Sequence, residues 1–249
     1  MNKDRRGGDG GIPYDPSGAV IRTKKETAER KAQNDAEFRN LSDMMQRDYG
    51  WTLNQNLRDS LDWRAARESA YGVMQILKSY PEARELLKGG NLAATGMRHL
   101  STLAYADLSS GAIRVNDVWY RDRETLDLIM QNSGGFHPTG GRSIGVTTHE
   151  AGHLLVTALA RKMGTGNYDA VAKTITDRAL KMPAVQNYMK KNLGGRNRTA
   201  QMAGTISRYA HKNNHETIAE GISDYAQRGS QANVYSRAIH HVIRQMLRE

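Results

Sequence analysis

The chain has 249 residues, no cysteine, and 36 basic against 26 acidic side chains, a formal net charge of +10. Its length suits one large domain, or a core with an appended arm. Because cysteine is absent, disulfides and thiolate metal sites are excluded, and any metal ligands must be histidines or carboxylates.

The N-terminal quarter of the sequence predicts an arm followed by helices. Residues 1–22 are rich in glycine, proline and charge, which indicates a flexible arm. Thr23 and Glu26 have the spacing of a capping box, and a long charged helix is predicted from there to about Tyr49, with Gly50 as its stop. Its apolar stripe is thin, which suggests packing against another element or a partner chain.

A second helix is predicted from Asn56 to Ser79, followed by a short one that begins at Pro81 and ends at Gly89-Gly90. We assign residues 23–90 to an N-terminal helical region and residues 91–249 to a separate domain.

The pattern changes after residue 91. Residues 112–116 alternate like a strand, and residues 100–106 are a weaker strand candidate. A helix is predicted over residues 123–132, and a loop follows at residues 136–141. Further helices are predicted over residues 168–181, from Pro183, over 198–211, over 214–227 and from Ala232. The expected fold is α+β, mostly helical with one small sheet.

The most informative stretch of the chain is His149-Glu150-Ala151-Gly152-His153, which reads H-E-x-x-H. Apolar residues around it repeat with helical period, and residues four apart lie on one face of a helix. The two imidazoles would therefore converge on one point, as a tetrahedral zinc requires. The carboxylate of Glu150 would stand beside that metal, where it could take a proton from water.

Two structural interpretations compete with a metal site. Thr147 and Glu150 also have the spacing of a capping box, and a pair of histidines on a core-facing helix can be structural. A catalytic zinc needs a third protein ligand. A histidine six residues after His153 is excluded, because that position is Leu159 and the glycine of the same pattern is replaced by Val156.

The remaining common solution is a glutamate from a downstream helix, and Glu216 and Glu220 are both candidates. They lie one turn apart on the same face, so the pattern leaves both open. A structural alternative is an acidic face that pairs with nearby lysines and arginines.

The pattern H-E-x-G-H, followed by Y-A-x-x-N-x-x-E-x-x-A-E from Tyr209 to Glu220, resembles zincin metallopeptidases of the gluzincin type. It is similar to the catalytic domain of anthrax lethal factor and to zincin-like domains of phage minor-head proteins and bacterial toxins. The segments 113–116 and 135–138 also resemble the phage group. The resemblance covers about residues 110–228, and residues 1–90 match no family.

The resemblance implies a zinc site made by His149, His153 and Glu216, with Glu150 as general base and peptide-bond hydrolysis as the reaction. It implies that Glu220 lies behind a ligand histidine and orients it.

The resemblance also implies that Tyr209 is aimed at the attacking water or the developing oxyanion; the alternative is a plain core or cleft-wall aromatic. If neither glutamate is the third ligand, Asp224 is the next candidate. His215 should project about 100° away from Glu216. Four further histidines are expected to be surface or structural residues, and the first of them could also line the cleft: His137, His211, His240 and His241.

Charge and hydropathy bear on partners and compartment. Eleven basic and two acidic residues lie between Arg161 and Lys212, so this segment carries +9 of the +10. It could bind an acidic partner or phage structural proteins; nucleic acid is less favoured because few aromatics accompany the charges.

No apolar run approaches the ~18 residues of a membrane span, and no secretory signal is evident. We expect a protein of the bacterial host cytoplasm or of a virion. The rival function is a phage head or tail component, or an interaction protein, that keeps a zincin fold.

Overall fold

The computed structural model describes residues 27–97, 101–132, 135, 137–138, 143–194 and 198–249. The predicted arm over residues 1–22 and the predicted capping box at Thr23 lie outside these residues. The described part is mostly helical with one four-stranded mixed sheet, which confirms the α+β prediction. None of the described helices combines the length and the apolar character needed to cross a membrane.

The described residues form the following α-helices: α1 (Ala28–Tyr49), α2 (Asn56–Ser60), α3 (Trp63–Ser79), α4 (Asp117–Tyr120), α5 (Arg123–Gln131), α6 (Ser143–Lys162), α7 (Tyr168–Leu180), α8 (Pro183–Asn192), α9 (Arg198–Gly204), α10 (Asn214–Arg228) and α11 (Val234–Arg248). Short 3-10 turns lie at Pro81–Ala83 and Gly229–Gln231.

The sheet contains β1 (Thr52–Leu53), β2 (Asn91–Thr95), β3 (Ala104–Asp107) and β4 (Ala112–Asn116) in the order β1-β2-β4-β3. β2 runs parallel to β1 and β4, and β3 runs antiparallel to β4. The alternation over residues 112–116 therefore predicted β4 correctly.

The other three strands show the limits of the pattern. β3 begins at Ala104, later than the predicted start at residue 100, which lies outside the described residues. β1 and β2 were not predicted, because one is only two residues long and the other is buried at its three central positions, so neither alternates over enough residues.

Three helix predictions were wrong in their bounds. The short helix predicted from Pro81 to Gly89-Gly90 is a 3-10 turn at Pro81–Ala83 followed by further turns. The predicted helix over residues 56–79 is broken at Leu61, where the backbone is extended. Asp62 then caps α3, with its side chain accepting a hydrogen bond from Arg64 N at 2.9 Å. The helix predicted over residues 198–211 ends at Gly204, and turns continue from there to Lys212.

The narrow apolar face of α1 is buried against other elements of the same chain. Of the two alternatives predicted for this face, packing against another element is therefore the one observed, and not packing against a partner chain. Phe38, Leu41 and Met45 are buried, and the rings of Phe38 and Trp63 meet edge to face with centroids 6.1 Å apart. The described helix is capped by Thr27, and Gly50 ends it in the left-handed conformation, as predicted.

α6 is the central helix, and it packs most extensively against α3 and α10. Glycines allow the close approach: a Cβ added at Gly72 would lie 2.1 Å from Thr147 Oγ1, and one at Gly152 would lie 3.2 Å from Ala219 Cα. β1 pairs with β2, and the hydrophobic core runs from Phe38 to Leu247. The core is therefore continuous across residue 90, where we predicted a domain boundary.

The basic segment over residues 161–212 is partly engaged within the fold. Arg161 and Lys162 donate to the backbone oxygens of Leu108 and Leu247 at 2.6 and 2.7 Å. Lys173 pairs with Asp177 and Arg178 with Glu249. Part of this charge is therefore paired within the fold.

Candidate metal centre

Three side chains from α6 and α10 converge at one point. His149 Nε2 and His153 Nε2 lie 3.1 Å apart, and Glu216 Oε2 lies 3.2 Å from the first and 3.4 Å from the second. These are the residues that could hold a metal ion among the described part of the chain. Of the two candidate glutamates, Glu216 is the one that meets the Nε2 atoms of both histidines.

The triangle of these atoms has the size that a tetrahedral ion needs. A metal with bonds of about 2.05 Å holds its ligand atoms about 3.3 Å apart. The three observed separations of 3.1–3.4 Å surround that value. Glu216 Oε2 is also buried, and it lies between His149 Nε2 and His153 Nε2, the two atoms with which it would share a cation. Both the donor set and its spacing fit a divalent cation.

The charges of the site are strongly coupled. Burial alone opposes protonation of His149, but the carboxylates of Glu216 and Glu220 outweigh it and raise the pKa of His149 well above its ordinary value. Burial would raise the pKa of Glu216, and the close approach of His149 and His153 instead holds that pKa low. A cation bound there would replace the proton on His149 and be held by two neutral imidazoles and an ionised Glu216.

Glu220 lies behind the triad. Its Oε1 is 2.7 Å from His149 Nδ1 and 3.5 Å from His137 Nδ1, and its side chain is 1% exposed. Burial opposes ionisation of Glu220, but the two histidines lower its pKa to about 2. Glu220 thus contacts the nitrogen of His149 that faces away from the triad, the position of an orienting group. His137, expected to be a surface or structural residue or to line the cleft, belongs to this network.

Tyr209 and Glu150 lie beside the triad. The ring of Tyr209 is tilted against that of His149 with centroids 5.7 Å apart. Burial, then the negative charges of Glu216 and Glu150, raise the pKa of Tyr209, so its hydroxyl keeps its proton at neutral pH. Glu150 is half-buried at the residue after His149. The negative charge of Glu150 is therefore close enough to the Tyr209 hydroxyl to help raise its pKa.

Tyr168 contacts the other histidine. Its hydroxyl lies 3.1 Å from His153 Nδ1, and its ring stacks on His215 with centroids 3.7 Å apart and planes 13° apart. His215 in turn pairs with Asp169. His215 contacts Tyr168 and Asp169 and is not one of the three triad residues. Tyr168 was missed by the sequence analysis because nothing local marks the first residue of a helix as a neighbour of His153.

The capping-box interpretation of Thr147 and Glu150 is wrong. α6 already contains Ser143, so Thr147 lies inside the helix, and its hydroxyl donates to Ile144 O at 3.3 Å. Side chains of other helices instead accept hydrogen bonds from Ser143, the first described residue of α6. Ser143 N donates to Asp127 Oδ1 at 3.1 Å, and the Ser143 hydroxyl donates to Glu68.

Asp224, the reserve candidate for the third ligand, is engaged elsewhere. It is fully buried, pairs with Arg228 and accepts a hydrogen bond from Asn233 N at 2.9 Å. His240 and His241 lie on α11, away from the triad, where His240 stacks on Tyr225, and His211 is exposed.

Searches against protein-family models, curated proteins and solved structures found no match to this chain. The function must therefore be argued from the residues and their geometry.

Proposed function

We propose that this protein is a zinc-dependent metallopeptidase that hydrolyses peptide bonds in a protein or peptide substrate. The observation that carries the proposal is the triangle of His149, His153 and Glu216, whose ligand atoms are 3.1–3.4 Å apart. Two histidines and a carboxylate form the ligand set of the thermolysin type of catalytic zinc site. Zinc bound there would polarise the scissile carbonyl and lower the pKa of a coordinated water toward neutrality.

Glu150 follows a ligand residue and has a half-buried carboxylate, which suits a general base. In this role it takes a proton from the attacking water while the water oxygen bonds to the carbonyl carbon. It then gives that proton to the amide nitrogen as the carbon–nitrogen bond breaks. The products are a carboxylic acid and an amine, which exchange a proton to become a carboxylate and an ammonium, so the atoms of water and substrate balance.

Tyr209 is proposed to donate a hydrogen bond to the oxyanion that develops on the carbonyl oxygen. Its raised pKa supports this role, because a neutral phenol is a donor and a phenolate is not. Glu220 is proposed to hold the His149 ring through the Nδ1 contact of 2.7 Å. By its resemblance to phage and toxin domains, we expect the enzyme in the cytoplasm of a bacterial host or in a virion.

The test is the substitution Glu150→Gln, compared with Glu85→Gln as a matched control. Glu85 is 84% exposed and pairs with Lys88, far in sequence from the proposed catalytic residues. Cleavage is measured on an unbiased peptide library by mass spectrometry with zinc-loaded protein. Glu150→Gln should keep zinc and fold but lose at least about 100-fold in rate, because general-base catalysis supplies about 100- to 10,000-fold.

Equal cleavage by Glu150→Gln and wild-type protein would contradict the role of Glu150. A zinc-loaded wild-type protein that cleaves no peptide in the library would contradict the peptidase proposal and leave the metal site as a structural one.

A further inference from the structure

We propose that Tyr168 is a positioning residue that holds the His153 ring for metal binding, as the counterpart of Glu220 at His149. This inference rests on the proposed zinc site and assigns a role to a residue outside its ligands. The two ligand histidines present Nε2 to the triangle, and each ring has a different partner at Nδ1. That partner is a carboxylate oxygen at 2.7 Å for His149 and the Tyr168 hydroxyl at 3.1 Å for His153.

The proton positions follow from metal ligation. A histidine that binds a cation through Nε2 has no proton on that nitrogen, so its Nδ1 carries the proton and must donate it to an acceptor. For His153 the hydroxyl oxygen of Tyr168 is that acceptor. With metal on Nε2, the Tyr168 hydroxyl would therefore accept the Nδ1 proton, and the contact would fix the rotation of the ring.

Tyr168 is itself held in place from the opposite side. Its ring stacks on His215 at 3.7 Å, and His215 pairs with Asp169. Tyr168 and Asp169 belong to the first turn of α7, and His215 belongs to the first turn of α10, one residue before Glu216. The stack thus connects Tyr168, which contacts His153, to α10, the helix that carries Glu216. This connection keeps the side chains of His153 and Glu216 in fixed positions relative to each other.

The test compares Tyr168→Phe with Tyr235→Phe in the full-length chain. Both substitutions remove one phenol hydroxyl and keep the ring. The Tyr235 hydroxyl is also bound at α7, 3.5 Å from Thr176 O, but Tyr235 contacts none of the triad residues in any described interaction. Zinc dissociation constants are measured by competition with a chromophoric chelator, and the unfolding temperature of each metal-free variant reports on the fold.

Tyr168→Phe should weaken zinc binding about 10- to 100-fold, the usual effect of losing a group that orients a ligand histidine. Tyr235→Phe should bind zinc like wild-type protein. Nitrogen-15 NMR of the zinc-loaded proteins should show His153 protonated at Nδ1 in both, with a changed Nδ1 shift only in Tyr168→Phe. A purely structural tyrosine would lower the unfolding temperature without that spectral change.

His215→Ala removes the stack but leaves the Tyr168 hydroxyl, and it should weaken zinc by less than Tyr168→Phe does. Zinc affinity of Tyr168→Phe equal to that of Tyr235→Phe, or a loss that only follows the unfolding temperature, would overturn the inference while the proposed function stands. Wild-type protein that binds no zinc would remove the proposed function, and the role of Tyr168 with it.

Discussion

Replacing the two glutamates of α10 one at a time separates a metal ligand from a residue that orients one. Glu216 supplies one of the three atoms of the triangle, whereas Glu220 contacts His149 at Nδ1, outside the triangle. Structural zinc sites with four ligands bind with about 10–16 kcal/mol, which is about 3 kcal/mol for each ligand. Glu216→Ala should therefore weaken zinc binding by more than about 100-fold.

Glu220→Ala should cost less. Loss of an orienting group lowers metal affinity about 10- to 100-fold, which corresponds to about 1.4–2.8 kcal/mol. Because Glu220 is 1% exposed, this variant also leaves His149 Nδ1 and His137 without their buried carboxylate, and some loss of stability is expected.

The assay is zinc retention in a graded chelator competition, with circular dichroism of each metal-free variant as the control for folding. Glu216→Ala should release zinc at the lowest chelator concentration, Glu220→Ala at a higher one, and wild-type protein last. The reverse order of the two variants would mean that the ligand lies one helical turn later than we infer. Full retention by both would refute a ligand from this face of α10.

Three further predictions concern stability. Gly72→Ala should destabilise the fold by about 1–3 kcal/mol, because the added Cβ would lie 2.1 Å from Thr147 Oγ1. Gly166→Ala is the control and should not destabilise the fold, because its Cβ would meet no atom within 4 Å. Urea unfolding measures both variants. Burial, then the charges of Arg244 and His241, lower the pKa of His240 from 6.5 to about 4, so the neutral ring stabilises the fold above pH 6.5 and this stability is lost as pH falls toward 4. His240→Phe, which keeps a ring against Tyr225, should remove about 1–2 kcal/mol of that dependence, allowing for partial exposure, in unfolding curves at pH 4.5 and 7.5. Saturating zinc at 100 times its dissociation constant should stabilise the metal-free protein by about 2.7 kcal/mol, and a chelator should reverse the shift in unfolding temperature.

The helices that carry the triad could be predicted because each has strong local signals. Residues around His149 repeat with helical period, and Asn213 caps α10 by accepting a hydrogen bond from Glu216 N at 2.9 Å. These signals set the faces on which the two histidines and the two glutamates lie. They did not rank Glu216 above Glu220, since that choice depends on how α10 packs against α6.

Features fixed by long-range contacts could not be predicted in this way. The break at Leu61 interrupts a spacing of apolar residues that looks helical, and it is stabilised from far along the chain, where Asp62 N donates to Tyr120 O at 2.9 Å. The Tyr168 contact likewise requires α7 to turn back toward α6, and no spacing in the sequence encodes that approach.

The end of α9, next to the proposed metal site, was also mispredicted because it depends on long-range contacts. The segment that carries Tyr209 was predicted as helix, but it forms turns, and Arg208 N donates to Gly135 O at 2.7 Å. Thr217 Oγ1 donates to Ala210 O at 2.6 Å, which joins this turn to α10. Both contacts connect residues that local propensity treats separately.

The central claim is that His149, His153 and Glu216 bind zinc, and its most direct test is the metal content of the purified protein. Elemental analysis after zinc addition and gel filtration should give about one zinc per chain, and His149→Ala or His153→Ala should lose it. Wild-type protein that stays metal-free under these conditions, with circular dichroism showing an intact fold, would contradict the claim.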